Sequence, residues 1–144
     1  MEQQNYKNHR RYVFLYHVVL FGLIILLLGG SINNLVKSTG DHQRIYSASL
    51  LCIVSVCLLL FFVFVRVFAL KAQDRAIRAE ENLRHFVLTG KLLDVRLTIR
   101  QIIGLRFAPD EELIALAKRT VDESLTEDDI KRAVKNWKPD TYRI

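Results

Sequence analysis

Two stretches decide the fold of this chain. The first is YVFLYHVVLFGLIILLLGGSI, from Tyr12 to Ile32, and the second is IYSASLLCIVSVCLLLFFVFVRVFAL, from Ile45 to Leu70. Each exceeds the roughly 18 to 20 apolar residues that an α-helix needs to cross the hydrocarbon core of a bilayer. We therefore predict an all-α membrane protein in which transmembrane helices at about 12–32 and 45–70 form a hairpin.

Basic residues flank this hairpin on one side. The short loop between the spans holds only Lys37 and Arg44, whereas the outer flanks hold Lys7, Arg10, Arg11, Arg66, Lys71, Arg75 and Arg78. Because basic residues near span ends stay in the cytosol, we expect segments 1–11 and 71–144 to be cytosolic and loop 33–44 to lie outside. The first span is too long for the apolar region of a signal peptide, so we expect it to be retained.

Charge is distributed unevenly along the 144 residues, which carry a formal net charge of +6. Residues 1–70 hold 6 Lys/Arg against 2 Asp/Glu, and the remainder holds 15 against 13. A nucleic-acid-binding domain would concentrate its basic charge on one soluble face. The pattern is instead typical of anchoring beside a membrane, and we expect no nucleic-acid partner.

Small residues predict how the two spans pack. Helices in lipid approach closely where small residues recur on one face, which here are Gly22, Gly29, Ala48, Cys52 and Ser55. In an antiparallel hairpin these positions match in depth if Gly22 lies opposite Ser55 and Gly29 opposite Ala48. The alternative is that they reflect only the general frequency of small residues in membrane helices.

Apolar residues continue beyond the second span at alternating spacings of three and four. They are Ala69, Ala72, Ala76, Ala79, Leu83 and Phe86, and we call these six residues the seam. Such spacing keeps one face of a helix toward a partner, as in a coiled coil. Since no Gly or Pro occurs from Ser47 to Thr89, we expect one helix of roughly forty residues to extend into the cytosol. Its partner is either the chain's own C-terminal tail or the same helix in another subunit.

Three shorter helices are predicted after Gly90, in the segment that we call the tail. They are expected to form a small helical C-terminal bundle. Gly90 ends the long helix. Thr98 and Gln101 have the spacing of a capping box, and Pro109 suits the first turn of a helix. Thr126 caps the last helix, which Pro139 ends.

No catalytic or metal-binding constellation is recognisable. Cys52 and Cys57 lie five apart on one predicted helix, a spacing that suits neither a disulfide nor a zinc site. The four histidines are scattered along the sequence. We therefore expect no enzyme activity, metal or cofactor. Arg66, Lys71, Arg75 and Arg78 are candidates for contact with anionic lipid headgroups. The alternative is that the basic residues form ordinary solvated pairs with the acidic residues that lie among them, such as Asp74, Glu80 and Glu81.

Several motifs carry a resemblance to a known family. They are QDRAIRAEE (73–81), LTGK (88–91), LDVRLT (93–98), QI (101–102) and LRFA (105–108). With these motifs the chain resembles an uncharacterised bacterial family of small two-span membrane proteins, described only as a domain of unknown function. The resemblance implies a bacterial inner-membrane location and no known activity.

The function that these features predict is a non-enzymatic membrane scaffold or accessory subunit. Its cytosolic helical domain would mediate self-association or partner binding, as a homo-oligomer or as a subunit of a membrane complex. The alternative is a homo-oligomeric ion channel, since two-span subunits can surround a pore. A pore needs a polar stripe, and Ser47, Ser49 and Ser55 are sparse for that purpose.

Overall fold

The computed structural model describes residues 4–6, 8 and 12–140. A π-helical segment, Leu15–Leu20, leads into α1, Phe21–Lys37. The helices that follow are α2 (His42–Thr89), α3 (Ile99–Leu105), α4 (Asp110–Glu123) and α5 (Glu127–Ala133). No strand occurs among these described residues, so the prediction of an all-helical chain is confirmed. The chain divides into two compact units. The hairpin unit comprises residues 12–68, and the C-terminal unit comprises residues 69–140 together with the described N-terminal residues.

The two longest helical stretches, Leu15–Lys37 and His42–Thr89, are long and apolar enough to cross a membrane. This conclusion rests on their length and composition. Only 11% of the most apolar window of each is buried, and large side chains such as Leu26 and Phe61 are exposed.

The connection between α1 and α2 is shorter than the predicted loop. Only Ser38–Asp41 separates the helices, because Asn33 and Asn34 remain helical. The Ser38 hydroxyl donates to the Asn34 carbonyl oxygen at 2.8 Å, which satisfies an acceptor at the end of α1. Asp41 accepts from the backbone N–H groups of Gln43 and Arg44 and so caps α2.

A pair of serines joins the two helices of the hairpin unit. The Ser55 hydroxyl donates to Ser31 Oγ at 3.2 Å and to the Leu51 carbonyl oxygen at 2.7 Å. Ala48 and Ser55 are fully buried and Cys52 is half-buried, so this face of α2 packs against α1. Hydrogen bonds between small polar side chains stabilise helix contacts in an apolar setting.

The predicted register of the hairpin is wrong at the glycines. Gly22 is half-buried and Gly29 is exposed, and a Cβ atom added at either would meet no atom within 4 Å. Ser31 lies opposite Ser55, nine residues from the predicted Gly22. The buried positions of α1 are Ile24 and Ser31. Close approach therefore occurs at Ser31, Ala48 and Ser55, which are also small residues, and not at the two glycines.

Tyr16 fixes the other end of the hairpin unit. Its hydroxyl donates to the Phe62 carbonyl oxygen at 2.6 Å, and its ring stacks on the Phe62 ring at 4.4 Å between centroids. Aromatic stacking of this kind contributes about 0.5–1.5 kcal/mol beyond area burial.

The C-terminal unit contains most of the helix ends that the sequence predicts, but α5 ends at Ala133, six residues before Pro139, because Val134 is extended. Gly90 has φ +72° just after α2, and Thr98 and Thr126 form capping boxes at the starts of α3 and α5. The hydrogen bond from the Thr126 hydroxyl lowers the pKa of Asp129 in its box. The buried core comprises mainly Ile77, Leu93, Leu97, Ile102, Leu105, Leu113, Leu116 and Ile130.

Gly104 allows α3 and α5 to pack closely. A Cβ atom at this position would lie 3.1 Å from Ile130 Cγ2 and 3.2 Å from the Glu127 carbonyl oxygen. The backbone oxygen moves aside less easily than a flexible side chain, so a Cβ atom here would push α3 and α5 apart by a few tenths of an ångström.

Candidate functional site

The seam lies on a surface of α2 that nothing in the described chain covers. Ala72, Ala76 and Ala79 are exposed, and Ala69 is half-buried. Leu83 and Phe86 are 63% and 50% exposed. Two large apolar side chains therefore join three alanines in one uncovered row.

The chain's own tail packs on another face of α2. Ile77 and Glu81 are each 6% exposed, and Ile77 belongs to the core formed by α3, α4 and α5. Residues four apart share a face of a helix, whereas Ala76 and Ile77 are about 100° apart around its axis. Of the two alternative partners of the seam, the chain's own tail therefore does not cover it, because the tail packs on Ile77, whose larger side chain buries more apolar area than alanine.

Arg84 holds the tail on that face. Its side chain is 12% exposed and donates to Glu81 Oε2 at 3.1 Å, to Asp110 Oδ1 at 2.6 Å and to the Ala108 carbonyl oxygen at 2.8 Å. Glu80, four residues before Arg84, makes no ion pair with it among the described residues, since Arg84 faces the start of α4. Loss of Arg84 would leave the buried Glu81 carboxylate without its cation, which is strongly destabilising.

Two further hydrogen bonds connect α2 with the segment that follows it. Asn82 Oδ1 accepts from the backbone N–H of Leu93 at 3.2 Å. His85 Nδ1 donates to the Lys91 carbonyl oxygen at 2.7 Å. The chain thus folds back directly after Gly90. The tail packs on the face of α2 that contains Ile77 and Glu81, away from the seam.

The N-terminal segment packs on the C-terminal unit. The backbone N–H of Asp140 donates to Gln4 Oε1 at 2.7 Å, and Arg132 donates to the Tyr6 hydroxyl at 3.3 Å. The bond with Tyr6 raises the pKa of Arg132. The sequence predicts only a basic flank at 1–11, and its Lys7, Arg10 and Arg11 lie outside the described residues.

The four basic residues expected at lipid headgroups differ in exposure. Lys71, Arg75 and Arg78 are exposed and Arg66 is half-buried. Within the described part of the chain, none of the four makes an ion pair. Lys71, Arg75 and Arg78 follow helical spacings of four and three and so form one basic row.

An open groove of about 440 Å³ lies between the end of α2, residues 91–97 and α4. Its floor includes Leu93, Leu97 and Val121. At its rim Asp94 pairs with Arg96 at 2.7 Å, and the side-chain hydrogen bond from Arg96 lowers the pKa of Asp94 to about 2. The lining of the groove is mainly apolar; the Thr89 hydroxyl in it donates to the His85 carbonyl oxygen at 2.8 Å and lies 3.2 Å from His85 Nδ1.

Sequence comparison matches residues 1–144 to a model described as a family of unknown function, DUF6526. The chain belongs to the DUF6526 family. The resemblance noted from the sequence is thereby confirmed at the level of an uncharacterised family. Searches of curated proteins and of solved structures give no match.

Cys52, Cys57 and His17 of this DUF6526 chain lie in the hairpin unit. Cys52 is half-buried and Cys57 exposed, and both are free thiols. His17 Nδ1 lies 2.9 Å from the Val13 carbonyl oxygen, and its ring stacks on Tyr12. In the described ranges no group of three or more His, Cys, Asp or Glu side chains could hold a metal ion.

Sequence reasoning missed the residues that position the seam of this DUF6526 chain. Arg84 and Asp110 are 26 residues apart, so no local pattern indicates their pairing. Glu81 is a charged residue at a buried position, which periodicity cannot distinguish from a solvated one. A usable signal was Ile77, because it is the one large aliphatic side chain of α2 between Leu70 and Leu83.

Proposed function

We propose that this chain is a non-enzymatic scaffold or accessory subunit of the bacterial inner membrane. Its hairpin crosses the bilayer with both termini in the cytosol. Its C-terminal unit presents the seam of α2 to another polypeptide.

The exposed apolar surface of the hairpin unit supports membrane insertion. A helix in the core of a soluble protein is mostly buried, whereas only 11% of each apolar window is buried here. Contiguous apolar surface of this extent is unusual on a soluble monomer. Lipid would cover it.

The basic flanks support the orientation. Lys71 and Arg75 follow directly after the second apolar stretch, where anionic headgroups of the cytosolic leaflet lie. They are exposed and unpaired within the described residues. We propose that Arg66, Lys71, Arg75 and Arg78 contact these headgroups.

The exposed seam is the observation that carries the scaffold function. The tail uses Ile77, Glu81 and Arg84 for its own packing and leaves Leu83 and Phe86 uncovered. An apolar helix face of this kind suits docking of another helix.

The ion-channel alternative has less support. A pore needs polar groups directed toward its lumen, and the fully buried Ser55 hydroxyl instead bonds to Ser31 within the same chain. The scaffold function needs no such polar stripe.

The test of the scaffold function is Ala76→Glu in the full chain, purified in mild detergent. Burial of an unpaired carboxylate costs several kcal/mol or forces the contact open. We expect the particle to lose a copy or a co-purifying chain, measured as the mass of the intact particle.

The matched control is Ala115→Glu, at an exposed alanine of α4. We expect it to leave the particle mass unchanged. Protease resistance of the tail should be normal in both variants, because the tail packs on Ile77 and not on the seam. A wild-type particle mass for Ala76→Glu would contradict the proposal.

A further inference from the structure

We propose that the seam is occupied by α2 of a second copy of this chain, parallel and in register. Arg75 of each copy then lies beside Glu80 of the other, and this contact replaces the headgroup contact proposed above for Arg75. This inference rests on the proposed function and names the partner.

The spacing of the flanking charges carries the inference. In the seven-residue repeat of the seam, Ala69, Ala76 and Leu83 take the first apolar position, and Ala72, Ala79 and Phe86 take the second. Arg75 directly precedes Ala76, which takes the first apolar position, and Glu80 directly follows Ala79, which takes the second. In a parallel two-stranded coiled coil, residues at these two flanks meet across the interface when they are five apart in sequence. Arg75 and Glu80 are five apart and of opposite charge.

Both charges are available for this contact. Arg75 and Glu80 are exposed, and neither makes an ion pair within the described part of the chain. The cation nearest to Glu80 by helical spacing, Arg84, is bound to Glu81 and Asp110. Twofold symmetry forms the Arg75–Glu80 contact twice in one dimer.

Membrane anchoring favours the parallel direction. Copies that insert with the same topology carry their α2 helices in the same direction and at the same depth. An antiparallel pair would instead place each flank beside the same flank of its partner, so that Arg75 could not meet Glu80.

The sizes of the seam residues suit a helix partner. Ala69, Ala72, Ala76 and Ala79 allow two backbones to approach closely near the anchor. Leu83 and Phe86, farther along α2, supply the larger apolar area. Val87 directly follows Phe86, is 75% exposed, and adds apolar surface at the flank.

A cysteine at position 76 tests direction and register. The full chain, with Cys52 and Cys57 replaced by alanine, carries Ala76→Cys and is oxidised in nanodiscs. In a parallel, in-register pair position 76 faces its own copy, within the 4.4–6.8 Å that a disulfide requires between Cα atoms. We expect a covalent dimer, whereas Ala115→Cys on α4 should give none.

Charge reversal then tests the Arg75–Glu80 contact in the same background. Arg75→Glu or Glu80→Arg alone turns both symmetric contacts from attraction to repulsion, which should lower the dimer association constant about tenfold. The double reversal restores opposite charges and should restore dimerisation. High salt should reduce the difference between single variants and wild type, because it screens exposed charges.

Three other outcomes would contradict the inference, and each points to a different explanation. If Arg75→Glu weakens dimerisation and Glu80→Arg strengthens it, the basic charge acts through the lipid surface. If position 76 gives no covalent dimer but Ala76→Glu still changes the particle mass, the seam binds a different partner or orientation and the proposed function stands. If the wild-type particle is a single chain and Ala76→Glu leaves it unchanged, the proposed function fails as well.

Discussion

Gly104 is a single residue on which the packing of α3 against α5 depends. We predict that Gly104→Ala destabilises the C-terminal unit, because its Cβ atom would contact Ile130 and the Glu127 backbone at 3.1–3.2 Å. Overpacking costs about 1–3 kcal/mol, offset by about 1 kcal/mol from the better helix propensity of alanine. A net loss of about 1 kcal/mol should appear as faster amide hydrogen exchange in α3 and α5. Gly30→Ala is the control, since its Cβ atom would meet no atom within 4 Å; equal exchange in the two variants would show that α3 can move aside.

The hairpin is the element whose register the serine pair defines. We predict that cysteines at Ser31 and Ser55 form an intrachain disulfide, because their side-chain oxygens lie 3.2 Å apart. Cysteines at Gly22 and Ser55 should not, since these positions are far apart along the helix axis. Both pairs are tested by electrophoretic mobility after oxidation, in a chain without Cys52 and Cys57. A bridge between 22 and 55 alone would restore the glycine register.

The membrane topology is a property of the whole molecule. We predict that Thr39→Cys, in the connection between α1 and α2, reacts with a membrane-impermeant thiol reagent in intact bacterial cells, and that Lys118→Cys does not. Both residues are exposed in the structure, so shielding can come only from the bilayer. Permeabilised cells should label both positions. Labelling of Lys118→Cys alone in intact cells would reverse the orientation.

The sequence by itself determined the features that depend on neighbouring residues. Helix ends at Gly90, Thr98 and Thr126 were predictable because a cap involves groups within about four residues. The two apolar stretches and the spacing of the seam were predictable for the same reason, since composition and periodicity are read along the chain.

Only the tertiary structure decided which faces are covered. Ile77 and Arg84 direct the tail to one side of α2 through Asp110, which lies 26 residues from Arg84, and the seam is left exposed. Ser31, and not the predicted Gly22, lies opposite Ser55, and the two hydroxyl groups form a hydrogen bond between the helices. The contact of Gln4 with Asp140 spans 136 residues. Which face of a helix is covered depends on how side chains that are distant in sequence pack together. The spacing of residues along the sequence does not predict that packing.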